Sequence, residues 1–273
     1  MLEKYLTSLR EKKSLVHNIT NYVTVNDVAN ILLASGASPI MSDEPLDVED
    51  ITSICDGLNI NIGTLNQQTI KAMVIAGHKA NQLNHIVLLD PVGAGASKLR
   101  TQTALNLIKE IKFDIIRGNI SEIKTLALGT TSTKGVDADI ADQVTKENLP
   151  QMIKFIKEFA KKTNCIIAIT GAIDLVSDQD NCYVIYNGRP EMSKITGTGC
   201  QLSALITAFA CANPHNKLQA TASAICLMGL AGEIAFNNLQ SNDGNSTYRN
   251  RIIDAVYNMD EDTLIKGAKY EIK

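Results

Sequence analysis

The 273-residue chain has no tryptophan, five phenylalanines and seven tyrosines. That scarcity removes the aromatic platforms on which single-stranded nucleic acids and sugars stack. Basic runs are missing too: 26 Lys and Arg stand against 29 Asp and Glu, a formal net charge of −3. Nucleic-acid binding through bulk charge is thereby excluded, and only a localised anion site stays open. The six cysteines (Cys55, Cys165, Cys182, Cys200, Cys211 and Cys226) contain no CxxC pair, and several lie inside apolar runs. Neither a disulfide framework nor a zinc knuckle fits, so buried reduced thiols in a cytoplasmic protein are expected. His17, His78, His85 and His215 show no metal-ligand spacing. No GxxxxGK[ST] occurs, which excludes a P-loop, and Gly93-Ala94-Gly95 lacks the third glycine of a dinucleotide fingerprint. The charged, amphipathic start MLEKYLTSLREKK does not read as a signal peptide. The longest charge-free stretch, 195–216, has its apolar part at 202–212, too short for a bilayer and suited to a buried helix. No membrane partner is expected.

Hydrophobic residues at 45% and charged residues at 20% are ordinary for a globular chain long enough to bury a large core. No repeat, low-complexity tract or linker divides it, so a single domain over 1–273 is expected. Short Ile/Leu-rich runs at 38–41, 58–62, 86–90, 114–117 and 166–170 suit strands covered on both faces, as in a parallel sheet. Amphipathic patterns at 25–34, 48–55, 67–80, 100–111 and 149–162 alternate with them, the mark of an α/β fold. Further on, 174–177 and 182–186 flank the polar turn 178–181 and predict an antiparallel hairpin at the sheet edge. Three helices, 199–212, 218–238 and 248–258, follow without strands between them.

Ligands of open parallel sheets bind at the carboxyl ends of the strands, so the residues just after each apolar run matter most. Ile195-Thr-Gly-Thr-Gly-Cys200 opens the most apolar helix. Its glycines let backbone N–H groups at a helix N-terminus close on a phosphate, or they simply flank a helix start capped by Thr198. Cys200 on the first turn would have its thiolate favoured; a lone buried thiol is the alternative. Asp90 and Glu122 fall at the ends of two strands and suit Mg²⁺ held loosely, directly or through water. Asp90-Pro91 as a turn, and Glu122 as a first-turn helix residue, are the plainer readings. His17, in Val16-His-Asn-Ile-Thr-Asn21, reads best as a polar residue near a strand end.

Taken together, Asp90-Pro-Val-Gly-Ala-Gly-Ala-Ser97, Gly118-Asn-Ile-Ser-Glu122 and Thr196-Gly-Thr-Gly-Cys200 resemble the hydroxyethylthiazole kinases of thiamine salvage, in the ribokinase-like superfamily. Val16–Asn21, Asn26–Asn30, Ser35–Ser42, Asn61–Thr64 and Lys134–Asp137 add to the likeness, which runs over about 15–260. The GTGC element is specific, because most ribokinase-like enzymes carry Asp where Cys200 stands. The resemblance implies a ribokinase-like fold, with helices on both faces of a mostly parallel sheet, an antiparallel edge hairpin and a helical C-terminal third. It also implies transfer of the ATP γ-phosphoryl group to the hydroxyl of 4-methyl-5-(2-hydroxyethyl)thiazole, with Mg²⁺, in a homotrimer whose thiazole pockets lie at subunit interfaces. Position by position, Met41 would contact the thiazole, with Asn21 and Gly63 lining that pocket. Arg117 and Thr170 would bind ATP phosphates, and Asp90 and Glu122 would organise Mg²⁺. Gly197 would meet the substrate side of an anion hole built from Gly197, Thr198 and Gly199, and Cys200 would face the hydroxyl. Two departures stand out: Gln201 replaces a more apolar residue, and Asp243-Gly-Asn-Ser-Thr-Tyr248 fits only loosely.

The loose transition state of phosphoryl transfer makes positioning and charge neutralisation matter more than a strong base. Cys200 is therefore the expected general base. Competing expectations are a kinase for another small alcohol such as a hydroxymethylpyrimidine, a nucleotide-dependent repair dehydratase of the same fold, a non-catalytic nucleotide-binding module, and a thiol hydrolase pairing Cys200 with His17.

Overall fold

A computed structural model describes residues 2–129 and 143–273. The chain begins with α1 (Lys4–Lys12), β1 (Leu15–Ile19), α2 (Val25–Ser35), β2 (Ser38–Met41), α3 (Val48–Ile54) and β3 (Gly57–Asn61). It continues through α4 (Gln67–Gln82), β4 (Ile86–Asp90), α5 (Lys98–Glu110), β5 (Ile115–Gly118), α6 (Ile120–Leu128), α7 (Leu149–Thr163) and β6 (Ile166–Ile169). The hairpin β7 (Asp174–Ser177) and β8 (Cys182–Ile185) leads into α8 (Thr198–Ala212), α9 (Lys217–Asn237), α10 (Asn245–Asn258), α11 (Glu261–Gly267) and β9 (Tyr270–Ile272).

The strands form one sheet in the order β2-β1-β3-β4-β5-β6-β7-β8-β9. All pairings from β2 to β6 are parallel, and those from β6 to β9 are antiparallel. Alternation along each strand sends side chains to opposite faces. Leu88, Ile115, Ile166 and Ala168 join a core shared with α1, α2 and α8–α11. Val87, Leu89, Ile116 and Ile167 join a second core shared with α3–α7. Burial on both faces is why these strands read as continuous apolar runs.

Three elements depart from the sequence-based expectations. β1 was not expected as a strand because His17 and Asn18 interrupt its apolar character, yet it lies inside the sheet. Its polar groups are satisfied there: His17 bonds Thr52 Oγ1 and the Ser42 carbonyl, each at 2.9 Å, and Asn59 donates to Asn18 at 3.0 Å. The hairpin is not the sheet edge. β9 pairs antiparallel with β8, and Cys182 and Lys273 exchange backbone hydrogen bonds at 3.0 and 2.8 Å. Three residues, two of them exposed, leave little hydrophobic pattern to read. Helix α11 makes four helices, not three, after the hairpin. The helix expected at 218–238 forms as α9, 21 residues with mean hydropathy 1.4 over a window that is 83% buried inside the molecule. Core contacts, not lipid, absorb its apolar surface.

Because β1–β6 are parallel, their carboxyl ends share one edge. Asn21, Met41, Asn61, Asp90, Arg117 and Thr170 come from six segments and gather along it.

Candidate active site

The start of α8 explains its two glycines. Gly197 is the N-cap, with φ of 89°, in the left-handed region that L side chains avoid. A Cβ there would also lie 2.5 Å from Thr24 Cγ2. At Gly199 a Cβ would meet Arg117 Nη1 at 2.7 Å, so this glycine lets the helix end sit against the guanidinium. The expected cap by Thr198 is corrected: Thr198 is the first helical residue, and no side chain caps the helix. A left-handed Gly N-cap has no oxygen to offer, which leaves the first N–H groups free for an anion, with the positive end of the helix dipole behind them.

Beside this helix start, Arg117, Thr170, Gly171, Thr198 and Gly199 line a cavity of about 510 Å³. Its far wall is apolar, from Leu202, Ile225 and Met228. Arg117 Nη2 donates to Thr170 Oγ1. Its Nη1 stands 3.7 Å from Asp90, while Nε is buried without a partner. A permanently charged fork with an unused donor next to free helix N–H groups is chemistry suited to phosphate.

Cys200 lies on the other side of the helix end. Its sulfur accepts from Asn21 Nδ2 at 3.1 Å and from Asn61 Nδ2 at 3.3 Å, and it is half-buried. Thr24 donates to Asn21 Oδ1 at 3.1 Å, which ties the Asn21 turn to the contact at Gly197. The expectation of a favoured thiolate is corrected. Burial and then the negative charge of Asp90 push the thiol up, against the hydrogen bonds of Thr24 and Asn21 and the charge of Arg117. The hydrolase pairing also fails, because both His17 nitrogens are engaged by Thr52 and Ser42. The other five cysteines are free and buried, as expected.

Asp90 ends β4 as expected, whereas Glu122 falls not at the end of the neighbouring strand β5 but at the third residue of α6. Asp90 is fully buried: Oδ2 accepts from Asn61 Nδ2 and Ser203 Oγ, both at 2.8 Å, and Oδ1 has no partner. Burial pushes its carboxyl up to about 6, opposed by Arg117 and reinforced by Glu122. Glu122 completes a capping box with Asn119 and also accepts the Gly93 N–H at 2.8 Å, so its first-turn helix role is real. Gly93 and Gly95, at φ of 76° and 92°, shape this turn. Among the described residues no group of three or more His, Cys, Asp or Glu forms a metal centre. An oxygen-only pair with one orphaned carboxylate oxygen nevertheless fits a Mg²⁺ ion that takes its remaining positions from water and phosphate.

Gly63 stands in the turn after β3. Its N–H donates to Asn61 Oδ1 at 2.9 Å, its carbonyl accepts from Arg100 at 2.7 Å, and a Cβ would crowd Asn61 and Asn21 at 3.0–3.1 Å. Met41 ends edge strand β2, in register with Asn18, and lines neither this turn's cavity nor the 510 Å³ one. Three site residues escaped the sequence reading. Asn61 and Ser203 hold Asp90, and Asp174 lines the large cavity while accepting the Gly171 N–H at 2.8 Å. Asn61 carried a usable signal, a polar residue closing an apolar strand; Ser203, inside a helix, and Asp174, at a hairpin strand, carried none. Gln201, one of the two departures, is buried with Oε1 unpartnered. In the other, Tyr248 on α10 donates to the Gly232 carbonyl at 3.0 Å. Lys134–Asp137 lies outside the described residues.

Comparison with known proteins shows the family. The model of the hydroxyethylthiazole kinase family matches residues 6–262. A protein of Clostridium acetobutylicum named hydroxyethylthiazole kinase is 60% identical over 271 residues, 99% of each chain. The solved structure of a hydroxyethylthiazole kinase protein from Pyrococcus horikoshii superposes with a TM-score of 0.87 at 34% identity, over 100% of this chain and 98% of that one. A ribokinase-like superfamily protein of Enterococcus faecalis shares the fold alone, with a TM-score of 0.62 at 12% identity over 92% of this chain and 88% of that one. A ribokinase-like sheet with Cys200 behind Gly-Thr-Gly, a full-length family match and relatives at this identity lead to one conclusion: the chain belongs to the hydroxyethylthiazole kinase family.

Proposed function

We propose that the chain transfers the γ-phosphoryl group of ATP to the side-chain hydroxyl of 4-methyl-5-(2-hydroxyethyl)thiazole, a reaction of thiamine salvage. The observation that carries this reading is the uncapped N-terminus of α8, set between a phosphate-suited cavity and a hydrogen-bonded sulfur. ATP enters the 510 Å³ cavity, where Arg117 and Thr170 bind its phosphates. The N–H groups of Thr198, Gly199 and Cys200 face the migrating phosphoryl oxygens and neutralise charge that grows there. The thiazole alcohol lies among Asn21, Met41, Gly63 and Cys200, with its hydroxyl at the Cys200 sulfur. As the new O–P bond forms, the hydroxyl proton passes to Cys200 and ADP departs. The loose transition state asks little basicity of the acceptor, so a thiol serves where relatives of the fold carry a carboxylate. Asp90 and Glu122 would hold Mg²⁺, which supplies charge neutralisation on the phosphate oxygens.

A homotrimer with acceptor pockets at its interfaces, working in the cytoplasm, completes the reading. Tyr22 at 79% and Leu46 at 91% exposure are large apolar side chains close to Asn21 and Met41 in the chain, the kind that a partner subunit covers. Sedimentation equilibrium is expected to give three chains per particle, and a monomer active at full rate refutes the interfacial pocket.

ADP release is the decisive assay. Turnover is expected with the thiazole alcohol and Mg²⁺, and not with sugar alcohols. Equal or faster turnover of a hydroxymethylpyrimidine would assign the chain a different acceptor.

A further inference from the structure

Asn61 closes β3 and is 2% exposed. Its carbonyl oxygen accepts the Gly63 N–H at 2.9 Å and Asn21 Nδ2 at 3.1 Å. Its NH₂ donates to Asp90 Oδ2 at 2.8 Å and to Cys200 Sγ at 3.3 Å. An amide offers two hydrogens and two lone pairs, and all four are used. The amide orientation is fixed as well, since the reversed one would point NH₂ hydrogens at the Gly63 N–H and an oxygen at the Asp90 carboxylate. One side chain thus touches the acceptor turn, the base and a phosphate-side carboxylate. Any buried amide needs partners; what singles out Asn61 is that its partners are Gly63, Asn21, Asp90 and Cys200.

We propose that Asn61 is a positioning residue for phosphoryl transfer: its oxygen sets the acceptor turn at Gly63, and its NH₂ fixes the Cys200 sulfur relative to Asp90. The inference rests on the kinase reading above. Asn21 supplies the second N–H to the sulfur, at 3.1 Å. The charged groups acting on Cys200 are Asp90 and Arg117, and Asn61 is the neutral link between that sulfur and Asp90. The two halves of the amide therefore have separable duties, the oxygen toward acceptor binding and the NH₂ toward chemistry.

Two variants separate these duties. Asn61→Asp keeps the shape and the accepting oxygen but removes both donated bonds. Asn61→Leu keeps the volume and removes all four. Thermal melts establish that each is folded. For Asn61→Asp, kcat is expected to fall about a hundredfold, with KM for ATP and thiazole within about threefold of wild type. Asn61→Leu should lose kcat similarly and also raise the thiazole KM. Alkylation of Cys200 by iodoacetamide, mapped by mass spectrometry against pH, gives a readout independent of turnover. Its midpoint is expected to rise by about half a pH unit or more in Asn61→Leu, because the thiolate loses a donor, and further in Asn61→Asp, where a new carboxylate also faces the sulfur. An unmoved midpoint in whichever variant folds, or kcat within about threefold of wild type in folded Asn61→Asp, overturns the proposal. A wild-type enzyme without thiazole turnover would sink the kinase reading instead, and the alkylation profile would still report on Asn61.

Discussion

Cys200 shows how local sequence and tertiary surroundings pull one group in opposite directions. Burial and the charge of Asp90 disfavour the thiolate, the hydrogen bonds of Thr24 and Asn21 and the charge of Arg117 favour it, and the first two prevail. Because the base must be deprotonated to accept a proton and its pKa is raised, kcat is expected to climb from pH 6 toward pH 9. Cys200→Asp should stay active and shift that rise to lower pH, which pH–rate profiles of both proteins will show. Removing the sulfur with Cys200→Ala is expected to cost at least about a hundredfold in kcat; a loss under about threefold would end the base assignment. For Arg117→Ala, steady-state kinetics should show a larger rise in KM for ATP than for thiazole, since the guanidinium faces the cavity beside Thr170. The opposite order would move Arg117 to the acceptor side.

At the scale of the element, helix α8 does two jobs that its sequence states separately. Its body, from Gln201 to Cys211, is buried and anchors the first core. Its N-terminus is left uncapped, and the proposed phosphoryl transfer is set there. Gly197→Ala should destabilise the fold by about 1–3 kcal/mol, from backbone strain together with the clash at Thr24, read as a lower midpoint in urea or heat. Gly199→Ala acts differently: its φ is unremarkable, but the added methyl displaces Arg117. Nucleotide affinity, measured by calorimetry without acceptor, is expected to fall while the melting temperature changes little. Equal losses of stability in both variants would mean that Gly199 serves packing rather than the guanidinium.

Across the whole molecule, the antiparallel extension β7–β9 continues the sheet beyond β6 and brings Asp174 to the cavity wall. Burial pushes the Asp174 carboxyl up to about 7, partly offset by the Gly171 N–H and the charge of Arg117. A raised carboxylate pKa means that the folded state keeps a proton which the unfolded chain has already lost. Its contribution to stability therefore falls as pH rises from about 4 to about 7, and the cost is complete above that, of order a few kcal/mol. Asp174→Asn retains an oxygen for the Gly171 N–H and cannot ionise. Relative to wild type it should gain stability at pH 8 and not at pH 4.5, in denaturant melts at both values. The same difference at the two pH values would show that Asp174 does not titrate in this window.

What the chain alone settles is whatever depends on local pattern. Apolar runs buried on both faces must be sheet interior, so the parallel strands β2–β6, the hairpin and the apolar helices were legible, as were Asp90, Arg117, Thr170 and the Gly-Thr-Gly-Cys turn at strand and helix ends. Strand β1 was hidden because His17 and Asn18 look like surface residues until Thr52, Ser42 and Asn59 satisfy them. Strand β9 was hidden because three residues, two of them exposed, carry no periodicity. The reason for Gly199, the hub at Asn61 and the raised thiol of Cys200 belong to the assembled molecule. Each depends on groups 29 to 179 positions apart, such as Asn61 with Asp90 and Asn21 with Cys200. Contact and desolvation depend on distance in space, and no local window of residues contains that distance.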